Sequence, residues 1–184
     1  MTAKEIILVT RQLADKDLSN DLINKFCFKP DKSGVDINID IRTNIVEELL
    51  NDFSLQDIIL IRKLFDEELK CEIATQRHDN LYQLSFYLFH LGQLQDAFIL
   101  YDAKYNAKNM DVGCSLDREL ITLGHNFDIV IEYVEKAFKD NPTLEEKYSG
   151  IIQVLEDLRD HPDYESIDDY RLFIRGYFYG HEKI

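Results

Sequence analysis

Apolar residues recur every three to four positions along most of the chain, which is the spacing of amphipathic helices. Residues 81–91 are apolar nearly all round, and this predicts a helix enclosed by its neighbours. A capping-box-like pair, Ser54 and Asp57, precedes the longest amphipathic stretch. The apolar positions of that stretch are Ile58, Ile61, Leu64, Phe65, Leu69 and Ile73. Together these patterns predict an all-α fold of about ten helices with short connections.

Capping residues predict where several later helices begin. Gly92 and Gly124 are expected to end the helices that precede them, because glycine readily adopts the left-handed conformation of a helix C-terminus. Three further starts are predicted: Ser115 for a helix to residue 123, Thr143 with Glu146 for a helix over 144–158, and Ser166 with Asp169 for the last helix.

One segment departs from the helical spacing. Residues 35–41 alternate between apolar and polar side chains, and they follow Pro30 and Gly34. A period of two is typical of a strand, so a short strand or extended segment is predicted near residues 35–40.

The same segment also resembles a calcium-binding loop in its spacing. Asp36, Asn38 and Asp40, with Glu47 eleven positions after Asp36, match the ligand positions of an EF-hand. That loop needs a glycine at its sixth position for a sharp turn, and Ile41 stands there. A plain alternation followed by the next helix is therefore the favoured interpretation.

An internal repeat appears in the middle of the chain. Residues 91–104 align without gaps on residues 123–136, at an offset of 32 residues that places Gly92 over Gly124. The Leu-Gly pair, an Asp, an Ile, a Tyr and a Lys are identical in the two copies. A period near 30 residues is typical of stacked helix–turn–helix units.

The first copy resembles the second half of a tetratricopeptide repeat. Gly92, Ala97 and Tyr101 stand where that family has a turn glycine, a small residue and an aromatic, and Leu84 with Ser85 would supply the small pair of the first helix. The resemblance covers residues 81–137. It departs from the family at Ile129, which replaces the small residue, and in lacking a closing proline. The alternative is a generic pair of helical hairpins.

The tetratricopeptide resemblance implies stacked antiparallel helical hairpins, whose concave and convex faces bind protein. The linking stretch over residues 104–117 is similar to a segment of uncharacterised bacterial helical proteins of the immunity type. This second resemblance implies a cytoplasmic inhibitor that neutralises a cognate toxin.

Composition narrows the function classes. The chain has 184 residues, 45% of them apolar, and a formal net charge of −14. It is too apolar for a disordered protein, and its acidity disfavours nucleic acid and anionic membranes as partners. A single domain over residues 1–184 is predicted, with N-terminal helices over 1–53, a repeat core over 54–138 and C-terminal helices over 139–184.

The compartment is predicted from what the sequence lacks. No signal-peptide core and no apolar run long enough to span a membrane occurs. The three cysteines, Cys27, Cys71 and Cys114, are odd in number and far apart, so no disulfide framework is implied. A cytoplasmic location is expected.

No catalytic or cofactor motif stands out. The glycines form no phosphate-binding loop, and no paired Cys or His spacing indicates zinc. Cys114 with His125 and either Asp111 or Asp117 would suggest a thiol or metal site. The acidic surroundings raise the pKa of a thiol, so an inert cysteine is the favoured interpretation. We therefore expect a protein that is not an enzyme, with no cofactor and no metal.

The first functional hypothesis is an immunity-type inhibitor that occludes the active site of a toxin with a basic surface. The alternative is a tetratricopeptide-like adaptor that binds a peptide or partner helix. The acidic charge is spread, with −6 over residues 140–184 and −5 over 96–135. Aromatic residues of the last helix suit either the core or an interface. The residues predicted to bind the partner, chosen by polarity and position, are Asp102, Tyr105, Asp111, Asp117, Glu119, Tyr164, Glu165, Asp168, Asp169, Phe178 and Tyr179.

Overall fold

A computed structural model describes residues 1–13, 17–75, 80–107 and 109–180. Within these ranges the chain forms eleven α-helices and no strand, so the predicted all-α class is confirmed. The α-helices are α1 (Ala3–Gln12), α2 (Asn20–Ile23), α3 (Ile39–Leu49), α4 (Ile58–Thr75), α5 (Leu81–Leu91), α6 (Asp96–Tyr101), α7 (Met110–Cys114), α8 (Phe127–Asp140), α9 (Pro142–Tyr148), α10 (Ile151–Asp160) and α11 (Ile167–Tyr179). Two 3₁₀ helices (Leu55–Asp57 and Arg118–Thr122) and a π-helix (Asp102–Asn106) connect them.

The core surrounds α5, as its apolar sequence predicts. Leu84, Phe86, Tyr87 and Leu88 are all inaccessible to solvent, although they point in different directions around the helix. Helix α4 packs along one side of α5, and the 3₁₀ helix Arg118–Thr122 packs against another. An apolar helix gains most free energy when every face is covered, so α5 becomes the axis of the fold.

The predicted extended segment near residues 35–40 is not a strand. A single antiparallel bridge joins Pro30 to Asp36, and α3 begins at Ile39. The buried carboxylate of Asp36 accepts the amides of Lys29 and Asn38, which turns the chain into the helix and leaves no calcium-binding loop. The prediction of a strand from the alternating pattern is wrong, because these hydrogen bonds determine the local backbone conformation.

Two predicted helices have different boundaries. Ser115 ends α7 instead of starting a helix, and its hydroxyl donates to the carbonyl of Val112 at 2.7 Å. The helix expected over residues 144–158 is divided into α9 and α10. It starts at Asn141, whose side chain accepts the amide and the hydroxyl of Thr143. The predicted starts at Ser54 and Ser166 are confirmed.

The two Leu-Gly turns of the internal repeat lie against each other. Gly92 ends α5 in the left-handed region (φ 64°), and the turn at Gly124 also has a positive φ of 70°. The His125 ring nitrogen Nε2 lies 2.7 Å from the carbonyl oxygen of Gly92. The first half of the second unit is the five-residue 3₁₀ helix, so stacking of full helical hairpins stays a prediction.

Candidate functional site

Four of the eleven residues predicted to bind a partner meet beside the 3₁₀ helix Arg118–Thr122. Arg118 ties this helix to the loop before α11, because its guanidinium donates to the Asp163 carboxylate at 2.7 Å and to the carbonyl of His161 at 3.2 Å. Helix α10 packs against the same segment. The four residues are Asp117, Glu119, Tyr164 and Glu165.

Asp117 is held by two tyrosine hydroxyls. Tyr82 on α5 donates to its Oδ2 atom at 2.6 Å, and Tyr170 on α11 donates to the same atom at 3.0 Å. Burial, with the Asp117 charge next to it, raises the pKa of both tyrosines well above the usual range. Both phenols therefore keep their protons, and Asp117 serves to join α5 to α11.

Glu119 is the exceptional carboxylate of this region. Glu119 is only 5% exposed, and its Oε1 atom has no hydrogen-bond partner within the described part of the chain. Burial raises the pKa of Glu119 above the ordinary range, and the charges of Asp163 and Asp117 raise it further. The charge of the neighbouring Arg118 and a hydrogen bond from the backbone of Glu119 itself lower this pKa in part, although the Arg118 guanidinium forms its ion pair with Asp163.

A small, partly enclosed cavity lies at Glu119. Its volume is about 120 Å³, well below the roughly 300–1,000 Å³ typical of sites for drug-sized ligands. Carboxylates, aromatic rings and aliphatic side chains all contribute to its walls. The lining residues are Glu119, Phe127, Leu158, Arg159, Pro162, Tyr164, Glu165, Ser166 and Ile167.

The stretch of chain that supplies most of the residues lining this cavity is rich in acidic side chains. Between residues 128 and 169 the chain carries thirteen acidic and four basic side chains, and every one of them belongs to an exposed residue. Nine of the thirteen carboxylates, including Glu132, Glu135 and Glu165, form no ion pair with any described residue. We call these residues, 128–169, the acidic segment.

Three predicted residues lie elsewhere: Asp102 and Tyr105 on the π-helix, and Asp111 on α7. Asp102 accepts from Lys147 at 2.6 Å and from the Tyr148 hydroxyl at 3.2 Å, so it joins the π-helix to α9. Tyr105 and Asp111 are exposed. These three residues do not line the Glu119 cavity, and their predicted role in binding stays a prediction.

Asp168 and Asp169 lie in the first turn of α11. Asp169 accepts from the Ser166 hydroxyl at 2.6 Å and completes the predicted helix start, while Asp168 pairs with Arg171. Both residues remain exposed, next to Glu165. They extend the acidic surface beyond the cavity.

Phe178 and Tyr179 are partly buried and contact the core. The Phe178 ring stacks on Phe86, with ring centroids 4.8 Å apart, and the Tyr179 hydroxyl donates to the carbonyl of Leu50 at 3.0 Å. Their surroundings favour packing, and their predicted contact with a partner stays a prediction.

The possible thiol or metal site gains no support. Cys114 is exposed at the end of α7, while His125 contacts the Gly92 turn. Among the described residues, no group of three or more His, Cys, Asp or Glu side chains is placed to hold a metal ion.

Several residues at the cavity escaped the sequence interpretation. Phe127, Leu158 and Ile167 have the spacing of ordinary core positions, and Pro162 looks like a simple helix stop. Arg159 was unremarkable as a surface charge. The available signal was a group of acidic and aromatic residues near the last helix. It identified Tyr164 and Glu165 at the cavity, and also Asp168, Asp169, Phe178 and Tyr179, which do not line it.

Comparisons with known proteins do not assign this chain to a group. No model of a protein family, no curated protein and no solved structure matches it. Among the described residues, no helix has both the length and the apolar character required to cross a membrane.

Proposed function

We propose that this protein is an immunity-type inhibitor, which binds a cationic toxin through the acidic segment and occludes its active site. The observation that carries the proposal is the exposed charge of residues 128–169, thirteen acidic against four basic side chains, a formal charge of −9. Unpaired carboxylates accept charge-assisted hydrogen bonds from lysine and arginine. An excess of negative charge on a surface also speeds the encounter with a basic protein.

The location of these charges supports binding over a purely solvating role. Glu132 and Glu135 are exposed on α8, and Glu156 and Asp157 are exposed on α10, which packs against α8. None of the four forms an ion pair with a described residue. Carboxylates free of internal partners are available to an external one.

The test is a growth-rescue assay. The product of the adjacent gene is expressed in a sensitive host, with or without this chain, and growth is measured. We expect the wild-type chain to restore growth and the double variant Glu132→Lys with Glu135→Lys to lose at least about tenfold in protection, because a like-charge contact replaces an attractive one.

The matched control is Asp40→Lys with Glu47→Lys, which makes the same change of charge at exposed positions of α3. This control should protect like the wild type, and both variants should melt as folded proteins. Equal loss in the two variants, or no rescue by the wild type and no complex between the purified proteins, would reject the inhibitor proposal.

The adaptor alternative predicts a different outcome. A tetratricopeptide-like groove would bind a peptide with micromolar strength and would be insensitive to charge reversal on α8. Its support is weaker, since a five-residue 3₁₀ helix stands where the second unit needs a long first helix.

A further inference from the structure

We propose that the Glu119 cavity is a subsite for one basic side chain, the ammonium or guanidinium group of a lysine or arginine on the cationic partner. This inference rests on the proposed function, since the partner supplies the side chain. It identifies which group of the partner is held and which carboxylate holds it.

The first support is the unpaired oxygen of Glu119. A buried carboxylate normally has a partner for each oxygen, because an unsatisfied buried acceptor is unfavourable. Oε1 of Glu119 has none among the described residues, and the residue lines the cavity. A cationic donor entering the cavity would give this oxygen its missing hydrogen bond.

The second support is that the nearby cations are already engaged. Arg118 pairs with Asp163 at 2.7 Å, and Arg159 pairs with Asp128 at 3.2 Å and with Asp160 at 3.3 Å. Neither arginine therefore forms an ion pair with Glu119, although the charge of Arg118 partly offsets that of the carboxylate. The cavity has a local excess of negative charge that favours a positive ligand.

The third support is the composition of the walls. Phe127 and Tyr164 present aromatic rings, which attract cations. Leu158, Pro162 and Ile167 offer aliphatic surface of the kind that the methylene stem of lysine or arginine covers. The volume of about 120 Å³ suits the end of a side chain and excludes a nucleotide-sized ligand.

The exposed acidic segment explains how a partner would reach the cavity. Glu165 lines the cavity and is itself exposed, so acidic side chains extend from the buried Glu119 to the protein surface. A basic protein drawn to this surface by its charge would place one side chain in the cavity, and such buried anchors typically dominate binding energy.

The experiment is an NMR titration of the full-length protein with three probes. Methylguanidinium and n-butylammonium represent the two head groups, and n-butanol is a neutral counterpart of similar length. We expect saturable amide shifts at Glu119, Tyr164 and Ile167 for the cations, with dissociation constants on the order of millimolar for fragments of this size. Butanol should cause no saturable shift.

Two variants then assign the contact. Glu119→Gln keeps the shape of the side chain but removes its charge, and it should weaken cation binding at least about tenfold, while its thermal stability is not lowered. Glu47→Gln, the matched control at an exposed position of α3 that does not line the cavity, should leave cation binding unchanged. Equal effects of the two variants, or unchanged binding in Glu119→Gln, would overturn the proposal.

A third arm identifies the source of the cation. A blocked Gly-Arg-Gly peptide should bind at least as tightly as methylguanidinium, because the cavity must admit an arginine that is part of a chain. If methylguanidinium binds but the peptide does not, the cavity is a site for small free cations and the proposal is wrong. If Glu119→Gln binds all probes normally while the α8 double variant still abolishes rescue, only this inference fails. If the probes bind as expected but rescue fails, only the inhibitor proposal fails.

Discussion

Replacing Glu119 by glutamine should stabilise the folded protein at neutral pH and have less effect in acid. Burial, followed by the charges of Asp163 and Asp117, raises the pKa of Glu119 in the folded chain. A raised pKa means that the ionised form is less favourable in the folded state than in the unfolded state. The free energy of unfolding of the wild type is therefore lost as the pH rises from the ordinary carboxyl pKa through the folded one.

The size of the effect follows from the environment of Oε1. This atom is buried without a partner among the described residues, and the whole residue is 5% exposed. An unsatisfied buried polar atom costs about 1–3 kcal/mol, and a charged one more. Glutamine removes the charge but keeps a polar atom at this position, so only the additional cost of the charge is relieved, and the free energy of unfolding should rise by about 1 kcal/mol at neutral pH. In a chain of this length each kcal/mol corresponds to about 2–4 °C in Tm.

The assay is urea denaturation of the wild type and the variant in a series from about pH 4 to about pH 8. The advantage of the variant should grow with pH and level off above the folded pKa. Glu165→Gln serves as the control, since its exposed carboxyl should change stability by no more than about 0.5 kcal/mol. A variant less stable than the wild type at neutral pH, or a gain that is constant across the series, would refute this explanation.

Three further substitutions test buried contacts and a turn that stabilise the fold. Arg42→Met leaves two buried carboxylates without their cation and should destabilise the protein by about 3–5 kcal/mol in urea denaturation; a loss below about 1 kcal/mol would contradict the buried ion cluster. Asp117→Ala removes the acceptor of two tyrosine hydroxyls and should cost about 1.5–3 kcal/mol, measured as a lower Tm. Gly92→Ala places a Cβ at φ 64° and 3.2 Å from a ring nitrogen of His125, so we expect a loss of about 1–2 kcal/mol, and an unchanged Tm would argue against the left-handed turn.

Local signals predicted the helix starts that depend on neighbours in sequence. Helices begin at Ser54 and Ser166 as expected, because each serine is hydrogen-bonded to the acidic residue three positions later. Such local signals did not predict that the helix expected over residues 144–158 is divided into α9 and α10. Gly150 lies at the break, and a Cβ there would meet the Tyr101 hydroxyl at 2.6 Å. That approach comes from a helix about fifty residues away in the chain and leaves no local pattern.

The site was predictable only in part for the same reason. Polarity and position selected Asp117, Glu119, Tyr164 and Glu165, but they also selected Phe178, which packs against the core. A glutamate that is exposed and one that is buried without a partner look alike in a sequence. Residues of α8, α10 and the loop before α11 line the cavity at Glu119, and that loop lies more than forty residues further along the chain.

Among the described residues, two buried glutamates have an oxygen without a hydrogen-bond partner, and a comparison of the two shows how Glu119 differs. Glu68 keeps its other oxygen 2.7 Å from the buried guanidinium of Arg42, so its charge is matched inside the core. The arginines near Glu119 pair with other carboxylates, and in our proposal the partner supplies the matching cation. Burial of the Glu119 carboxylate lowers the stability of the unbound protein, and a bound cation would restore that stability. Glu119→Gln should therefore be both more stable than the wild type and weaker in cation binding. If the variant is more stable but binds cations normally, the buried charge of Glu119 affects stability and does not bind the cation.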